Sequence, residues 1–340
     1  MFDYLKKINL QLFAELNTQT TLLNNKSGGN DLSPEMKTFY DMTLIDEASA
    51  ELVHDQFGQK RPIPANGGKT IEFRKFDSLP KALTPITEGV TPNGNKLNVS
   101  TITAEVAQYG DYIVQSDILE LTALDNTILE ATKLLGKQAG LTLDTVVRDV
   151  ITAGSIAQYA NGKTRKTLTK TDTLSVKEIK KAVAFLRAHN APTINGSYVS
   201  IVHPYAAYDL MSDPEWIDAH KYAAPENLFE GEIGKVAGVR FVQSSEAHII
   251  KGGTGDTACP DGLAVFQTMV LGQNAYGVTE ITGGGLQTIV KQKGSAGTGD
   301  PLDQRSSVGW KAMKTAERLV EQYMVRIESC GEYSDLVSAN

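Results

Sequence analysis

The sequence predicts an α+β fold with two lobes and two extensions, and three features of the chain lead to this class. Residues 125–152 carry the strongest helical periodicity, residues 70–74 and 97–114 alternate as strands, and strand and helix patterns alternate over residues 175–280. The chain has 340 residues, of which 41% are hydrophobic, which is ample for a buried core.

Composition excludes several classes of protein. No apolar run approaches the roughly 18 residues that a membrane-spanning helix needs, so we expect a soluble chain. Cys259 and Cys330 are too few for a disulfide scaffold or a four-thiolate zinc site, and they are typical of a reducing compartment. The 40 acidic residues outnumber the 33 basic ones, and the net charge of -7 argues against a dedicated nucleic-acid binder.

The N-terminal part differs in composition from the rest. Met1 to Leu16 has two lysines and a short apolar stretch, which is too short for a signal peptide and has no small-residue cleavage site. Asn17 to Asp31 is polar and rich in glycine and asparagine, as linkers are. This composition favours a disordered tail, and an arm that orders on a neighbouring subunit is the alternative.

A helix and a long hairpin follow. Ser33-Pro34 is a good helix start, and we expect this helix to continue towards Gly58. Two alternating runs, residues 70–74 and 97–114, flank Ser78 to Lys96, which contains three prolines and a Pro-Asn-Gly turn signal. A loop of this length is uncommon inside a compact domain, so we expect a projecting arm, with an ordinary surface loop as the alternative.

The middle of the chain predicts one long helix and then a lobe with alternating strands and helices. Apolar residues recur three or four apart over Asp125 to Thr152, where Gly136 and Gly140 would permit close packing or a bend. Ser175 and Glu178 fit a capping box for a helix that ends near His189. The further expected elements are a strand at 197–202, a helix at 204–211, and strands at 238–242, 263–266, 286–291 and 321–327.

Chemical motifs are nearly absent. Gly68-Lys69-Thr70 and Gly162-Lys163-Thr164 end like phosphate loops but lack the first glycine of that motif. The five histidines show no metal-binding pair, and neither cysteine lies in a nucleophile motif. His203 follows a predicted strand, where a catalytic residue could stand, but a structural histidine is the favoured interpretation. We therefore predict no catalytic residue, no cofactor and no metal.

Whole segments of the chain carry a family resemblance. These are KKINLQLFAEL near the start, RKFDSLPKALTPITEGVTPNGNKLNVSTITAEVAQYGDYI across the hairpin, LDNTILEATKLLGKQAGLTLDTVVRDV along the long helix, and YGVTEITGGGLQTIVKQKGSAGTGDPLDQRSSVGWK. FEGEIGKVAGVRFVQSSEA and AERLVEQYMVRIES match as well. In these segments, and in the order of its parts, the chain resembles the major capsid proteins of tailed bacteriophages, which have the Hong Kong 97-type fold.

The resemblance implies a division of the chain into the parts of that fold. Residues 1–68 would be the N-terminal arm and residues 69–116 the extended hairpin loop. Residues 117–159 and 281–340 would form the peripheral domain, which contains the long spine helix, and residues 160–280 the α/β axial domain. Some relatives cross-link their shells through a loop lysine, but no motif marks Lys81 or Lys96 as such a site.

The implied function is a major capsid protein, not an enzyme, that self-assembles into hexamers and pentamers of an icosahedral head shell. The shell would be assembled in the host bacterial cytoplasm and become part of the virion, with portal, scaffolding and decoration proteins as partners and packaged double-stranded DNA held without sequence-specific contact. No membrane partner is expected. The loop residues expected to contact a neighbouring subunit are Leu79, Pro80, Lys81, Leu83, Pro85, Ile86, Val90 and Pro92.

Two alternatives remain open from the sequence. One is a cellular nanocompartment shell of the same fold that encloses enzyme cargo. The other is an α/β enzyme that uses His203.

Overall fold

The computed structural model describes most of the chain. The described residues are 23–24, 31–32, 34–64, 68–76, 79, 81–83, 85, 88–89, 91, 94–122, 127–221, 232–253, 259–280, 285–295 and 302–340. The helices are α1 (Pro34–Glu51), α2 (Asp117–Thr122), α3 (Thr127–Thr152), α4 (Val176–Ala188), α5 (Pro204–Met211) and α6 (Pro214–Lys221).

The strands are spread along the chain between these helices. They are β1 (Leu23–Asn24), β2 (Asp31–Leu32), β3 (Gln59–Lys60), β4 (Thr70–Phe76), β5 (Val99–Glu105), β6 (Ala107–Ser116), β7 (Ala157–Tyr159), β8 (Tyr198–Val202), β9 (Glu232–Val236), β10 (Val239–Gln243), β11 (Ile249–Lys251), β12 (Ala264–Leu271), β13 (Tyr276–Glu280), β14 (Gln287–Lys291), β15 (Arg305–Arg318) and β16 (Met324–Ser329). Short 3₁₀ turns lie at Ala160–Gly162, Arg165–Thr167 and Glu321–Tyr323.

The chain divides into two compact units. The first comprises Met1–Ala50, Tyr109–Gly140 and Leu286–Ala312, and the second comprises Glu51–Gln108, Leu141–Gly285 and Met313–Asn340. The mixed helix and sheet content confirms the predicted α+β class. The finer domain limits expected from the sequence stay a prediction.

In the first unit, helices cover one face of a sheet. Val308, Trp310 and Ala312 of β15 are buried and, apart from the buried Gly309, alternate with less buried residues, as in a strand with one covered face. The Trp310 indole Nε1–H donates to Gln138 of α3, which places that helix on the covered face. On α3, a Cβ at Gly136 would lie 2.9 Å from the Leu44 carbonyl of α1, so the predicted close packing at this glycine is confirmed.

In the second unit, a mixed sheet has the strand order β7-β16-β12-β8-β10-β9, and β11 pairs with β12. All five residues of β8 and all eight of β12 are buried, as befits central strands. Apolar residues of α4 and α5 form one core with this sheet. A second core joins Val147 and Ile151 of α3 to Tyr276 and to strand residues around it.

The structure confirms several sequence predictions and corrects others. The long helix, the helices α4 and α5, and the buried strand β8 lie where the periodicity indicated. The first helix ends at Glu51, short of Gly58, because the chain turns so that His54 can bond to Asp144. The strand expected at 321–327 begins only at Met324, after a 3₁₀ turn.

Two local predictions were wrong for identifiable reasons. The Ser175 side chain makes no cap hydrogen bond, and the Glu178 carboxylate accepts hydrogen bonds from Gln158 and Lys181 instead of closing a capping box. The single strand expected over 97–114 is two strands, β5 and β6. The break is at Val106, which is buried and whose N–H donates to the Lys69 carbonyl.

Candidate assembly surfaces

Strands β4 and β5 form a separate two-stranded ribbon. They pair antiparallel from Thr70–Glu105 to Phe76–Val99, and neither pairs with another of the described strands. An isolated two-stranded ribbon is marginally stable in water, so it depends on contacts at its ends. We refer to β4, β5 and the chain between them as the arm.

The root of the arm is fixed in the second unit by one aromatic side chain. Phe73 is buried against Gly277 of β13, where an added Cβ would lie 2.6 Å from the Phe73 ring. The guanidinium of Arg61 lies 5.9 Å from the centre of the same ring, which is within the range of a cation–π contact. Ala104 on the opposite strand is also buried.

Burial along the arm falls from the root to the tip. In β5, Ala104 is buried and Ile102 half-buried, whereas the three residues Val99 to Thr101 are exposed. Beyond the ribbon, Leu79 and Leu83 are 57% and 82% exposed, and Leu97 is exposed as well. Several leucines in water at one tip indicate a surface that is covered in an assembly.

The structure describes half of the predicted loop contact residues. Leu79, Lys81, Leu83 and Pro85 are all exposed in the arm. The other four, Pro80, Ile86, Val90 and Pro92, lie outside the described residues. The two loop lysines, Lys81 and Lys96, are exposed too.

Sequence reasoning missed a second exposed apolar surface, in the first unit. We call it the outer face: it is the side of β6, β15 and β14 that carries Tyr112, Val114, Gly309 and Ile289. Tyr112 is 68% exposed and Val114 is 50% exposed. Tyr112, Ile113 and Val114 form a continuous apolar run in the sequence, and such a run could not show that the side carrying Tyr112 and Val114 faces water.

Two glycines shape the outer face. A Cβ at Gly309 would lie 2.7 Å from Tyr112 Cβ, and one at Gly110 would lie 2.6 Å from the Trp310 carbonyl oxygen, so β6 and β15 approach closely only because both residues are glycine. The resulting cleft of about 280 Å³ is bordered by Tyr112 and Ile289. It has the size and lining to receive an apolar side chain.

The side chain of His203 has a structural role. It is the N-cap of α5, and its Nδ1 accepts a hydrogen bond from the Tyr205 N–H at 3.2 Å. Its ring stacks on Phe266 with a centroid distance of 5.3 Å, and burial lowers its pKa to about 4. At neutral pH the ring is therefore uncharged and already occupied by its cap hydrogen bond.

Some of the other groups with a shifted pKa belong to buried ion pairs and turns. Arg165 binds the fully buried Glu328 through two hydrogen bonds of 2.6 Å, and Asp172 accepts from Lys163 and from the Thr169 N–H. Burial raises the pKa of the Cys330 thiol to about 11, which leaves it a poor nucleophile.

Within the described part of the chain, no three His, Cys, Asp or Glu side chains come together as metal ligands would. Nor does any described helix combine the length and apolarity of a membrane span.

Comparison with known proteins gives a family-model match over part of the chain. Residues 133–295 match the family model described as phage capsid protein. The matched segment is slightly less than half of the chain, and over that segment the chain is similar to phage capsid proteins. Among curated protein sequences, none gives a significant match.

Solved capsid structures share the fold of this chain. The capsid of Ralstonia phage GP4 matches with a TM-score of 0.64 and 13% identity over 84% of this chain and 90% of the other. The capsid asymmetric unit of cyanophage Pam1 gives 0.63 and 12% over 93% and 98%, and the capsid of cyanophage P-SCSP1u gives 0.62 and 14% over 83% and 89%. The Hong Kong 97-type fold expected from the sequence is thereby confirmed.

The match to phage capsid proteins also bears on the two alternatives left open by the sequence. A match to phage capsid proteins does not favour the nanocompartment shell. It also points to a structural protein rather than an α/β enzyme, and the cap and stacking contacts of His203 account for that residue without catalysis.

Proposed function

We propose that this protein is the major capsid protein of a tailed bacteriophage, which self-assembles through hexamers and pentamers into the icosahedral head shell around double-stranded DNA. The family match with the shared fold is the observation that carries the proposal. A closed shell suits such a subunit, because many modest contacts between copies reinforce one another once the shell closes.

The arm is proposed as the contact between neighbouring subunits. Its root is anchored by Phe73, while its tip carries exposed leucines that find no cover in the second unit among the described residues. The eight predicted residues from Leu79 to Pro92 would lie against an adjacent copy. The absence of any catalytic role, and assembly in the host cytoplasm with portal, scaffolding and decoration proteins, are part of the same proposal.

Electron microscopy and light scattering of the purified protein test the function directly. We expect rings, shells or other megadalton particles, with or without an added scaffolding protein. A chain that stays monomeric under all these conditions would contradict the proposal.

The arm is tested by one substitution at its tip. Leu83→Asp places a charge where apolar contact with the neighbour is expected, so particle formation should fall at least tenfold while circular dichroism and thermal unfolding of the subunit stay unchanged. Leu83→Met keeps the apolar surface and should assemble normally. Leu336→Asp, at a leucine of similar exposure in the C-terminal segment, controls for the added charge. Normal shells from Leu83→Asp would refute the assignment of the arm.

A further inference from the structure

A cavity in the second unit is lined by arginines that belong neither to the arm nor to the outer face. It lies among the end of α3, the strands β11, β12 and β16, and the turn at Arg165, and its volume is about 280 Å³. That volume is several times the roughly 30 Å³ that one water molecule occupies in the liquid. The charged and polar side chains at its wall include Arg148, Asp149, Arg165, His248, Gln267 and Arg326.

Two of the arginines share one buried carboxylate. Glu328 is fully buried, and Nε and Nη2 of Arg165 each donate to it at 2.6 Å. Nε of Arg326 lies 2.8 Å from the same carboxylate, and Nη1 of Arg326 donates to the Gly154 carbonyl at 2.9 Å. Nη1 of Arg165 and Nη2 of Arg326 have no partner among the described residues. Both guanidiniums are therefore fixed, and each keeps one nitrogen that can donate to a ligand.

The buried part of the wall carries an excess of positive charge. Three guanidiniums are mostly buried, those of Arg148 (4% exposed), Arg165 (26%) and Arg326 (12%). Glu328 is the fully buried carboxylate that is paired with two of them. Asp149 and Glu246 lie near Arg148, but they are 56% and 30% exposed, so water screens their charges more strongly. The cavity is therefore suited to an anion.

His248 lies at the same wall with one ring nitrogen unpaired. Gln267 donates its Nε2–H to Glu328 at 3.2 Å, so its Oε1 is the atom that lies 2.8 Å from Nδ1 of His248. Because an amide oxygen only accepts hydrogen bonds, Nδ1 carries the hydrogen. Nε2 of His248 has no partner in the described part of the chain. Once protonated, Nε2 can donate to a ligand in the cavity.

The charge of the His248 ring depends on what the cavity holds. Burial lowers the pKa of His248 and the charges of Arg148 and Arg326 lower it further, while Gln267 and Asp149 oppose this shift. The other charged groups at the cavity are Arg165, Glu246, Glu328 and the terminal carboxylate of Asn340. A bound anion would offset the arginine charges and raise the pKa of the ring. By linkage, such an anion binds more tightly as pH falls.

We propose that this cavity binds a small oxyanion of the phosphate or sulfate type, held by Arg165 and Arg326 and, with uptake of one proton, by His248. Guanidinium N–H groups match the geometry of such oxyanions, and donors that are already fixed lose little freedom on binding. All these residues belong to the second unit of one copy, so binding goes beyond the shell function and does not require assembly.

Calorimetric titration of sulfate into the full-length protein tests the site. Sulfate keeps its double charge between pH 8 and pH 6, whereas phosphate titrates in this range. We expect one saturable site per subunit, an affinity that rises at least threefold from pH 8 to pH 6, and proton uptake that is visible in buffers of different ionisation enthalpy. Sodium chloride at matched ionic strength controls for screening. Absence of a saturable site would overturn the proposal.

Arg165→Lys tests the donors. Lysine keeps a positive charge beside Glu328 but lacks the spare guanidinium nitrogen, so sulfate should bind at least tenfold more weakly. Arg187→Lys, at an exposed arginine of α4, is the matched control and should bind like wild type. Circular dichroism checks the fold of both variants. Equal affinities in a folded Arg165→Lys variant and in the control would refute the site.

His248→Gln tests the proton independently of Arg165. The glutamine amide can still donate to Gln267 but cannot titrate, so sulfate should bind with no dependence on pH. In wild type, NMR of labelled histidines should show the His248 titration at higher pH when sulfate is present, and the signal that is missing from the variant identifies this residue. A His248 titration that sulfate leaves unmoved would contradict the proposed contact.

A competition experiment distinguishes a free anion from a phosphate group on nucleic acid. Inorganic phosphate and a short DNA duplex are added separately to the sulfate-loaded protein at equal phosphate concentration. Displacement by inorganic phosphate alone supports a free oxyanion as the ligand, whereas displacement by the duplex as well supports a nucleic-acid phosphate. Sulfate that inorganic phosphate does not displace would refute the shared oxyanion chemistry.

Discussion

At the scale of single residues, the stability of this fold depends on buried carboxylates. Asp144 in α3 is fully buried, and its two oxygens accept from the His54 N–H at 2.7 Å and bond the His54 ring at 2.6 Å. The His54 carbonyl in turn accepts from the Tyr276 hydroxyl. One carboxylate therefore fixes the turn that follows α1.

Asp144→Ala tests this dependence. The substitution leaves the buried ring and N–H of His54 without their acceptor, and we expect the free energy of unfolding to fall by roughly 3 kcal/mol. Glu130→Ala, which removes only an exposed ion pair with Lys133 on the same helix, should cost less than about 1 kcal/mol. Denaturant titration of the free subunits measures both. Equal losses in the two variants would show that the His54 contact contributes little.

Asp209 in α5 contrasts with Asp144, because one of its two carboxylate oxygens is poorly satisfied. Its Oδ2 is buried without a hydrogen-bond partner among the described residues and lies against Gly331, where any side chain would collide with it. Burial raises the pKa of Asp209 to about 6, the nearby Glu332 carboxylate adds to the rise, and the Glu332 N–H opposes it. The folded subunit therefore favours the protonated form of this acid.

The raised pKa predicts a pH-dependent effect of Asp209→Asn. Because the folded pKa lies above the unfolded value of 3.8, the native contribution of Asp209 is lost as pH rises from about 4 through about 6. The asparagine variant escapes this loss and should melt at a higher temperature than wild type at pH 7.5. The difference should disappear at pH 4. A variant that is less stable than wild type at pH 7.5 would contradict the assignment.

At the scale of elements, the contact between Phe73 and Gly277 carries the arm. Gly277→Ala places a methyl group 2.6 Å from the Phe73 ring, so the ring has to shift or leave its site. We expect a loss of about 1 to 3 kcal/mol in the free energy of unfolding, with faster proteolysis within residues 70–105.

Gly253→Ala is the matched control for this prediction. Gly253 has open space around its Cα, so its substitution should leave both stability and proteolysis unchanged. If Gly277→Ala behaves like the control, Phe73 is not what holds the arm in place.

The elements also show what could be predicted from the sequence and what could not. Local patterns were sufficient for α3, α4 and β8, because helix periodicity and continuous apolar runs are properties of neighbouring residues. Pairings between distant segments were not accessible. The division at Val106 depends on a bond to Lys69, and the failed capping box depends on Gln158 binding Glu178.

The candidate surfaces divide in the same way. Exposed leucines at the arm tip could be anticipated, since three prolines and a long loop mark a projecting segment. The outer face could not, because its cleft exists only where Gly309 of β15 meets Tyr112 of β6. Such a contact depends on strand register, which one sequence does not reveal.

At the scale of the whole molecule, net charge opposes assembly. Each copy carries -7, so copies brought together in a shell repel one another. Added salt screens this repulsion, and the Debye length falls from about 30 Å at 0.01 M to about 8 Å at 0.15 M salt. Assembly should therefore begin at a lower protein concentration when salt is raised across this range.

Light scattering at a series of salt concentrations checks this prediction. Sucrose at matched osmolality is the control, because it changes the solvent without screening charge. Assembly that weakens with salt would show that ion pairs between copies outweigh the net repulsion.

The way the arm is held also has a mechanical consequence. A ribbon with strands of seven residues is about 23 Å long, so it acts as a lever whose pivot is the packed ring of Phe73. Because Phe73 is the fourth residue of β4, about 10 Å of ribbon lies beyond it, and a tilt of about 10° at that pivot moves the far end of the ribbon by about 2 Å while every hydrogen bond within the ribbon is kept. Rotation at one aromatic residue would therefore re-aim the exposed leucines at the tip of the arm without rebuilding the ribbon.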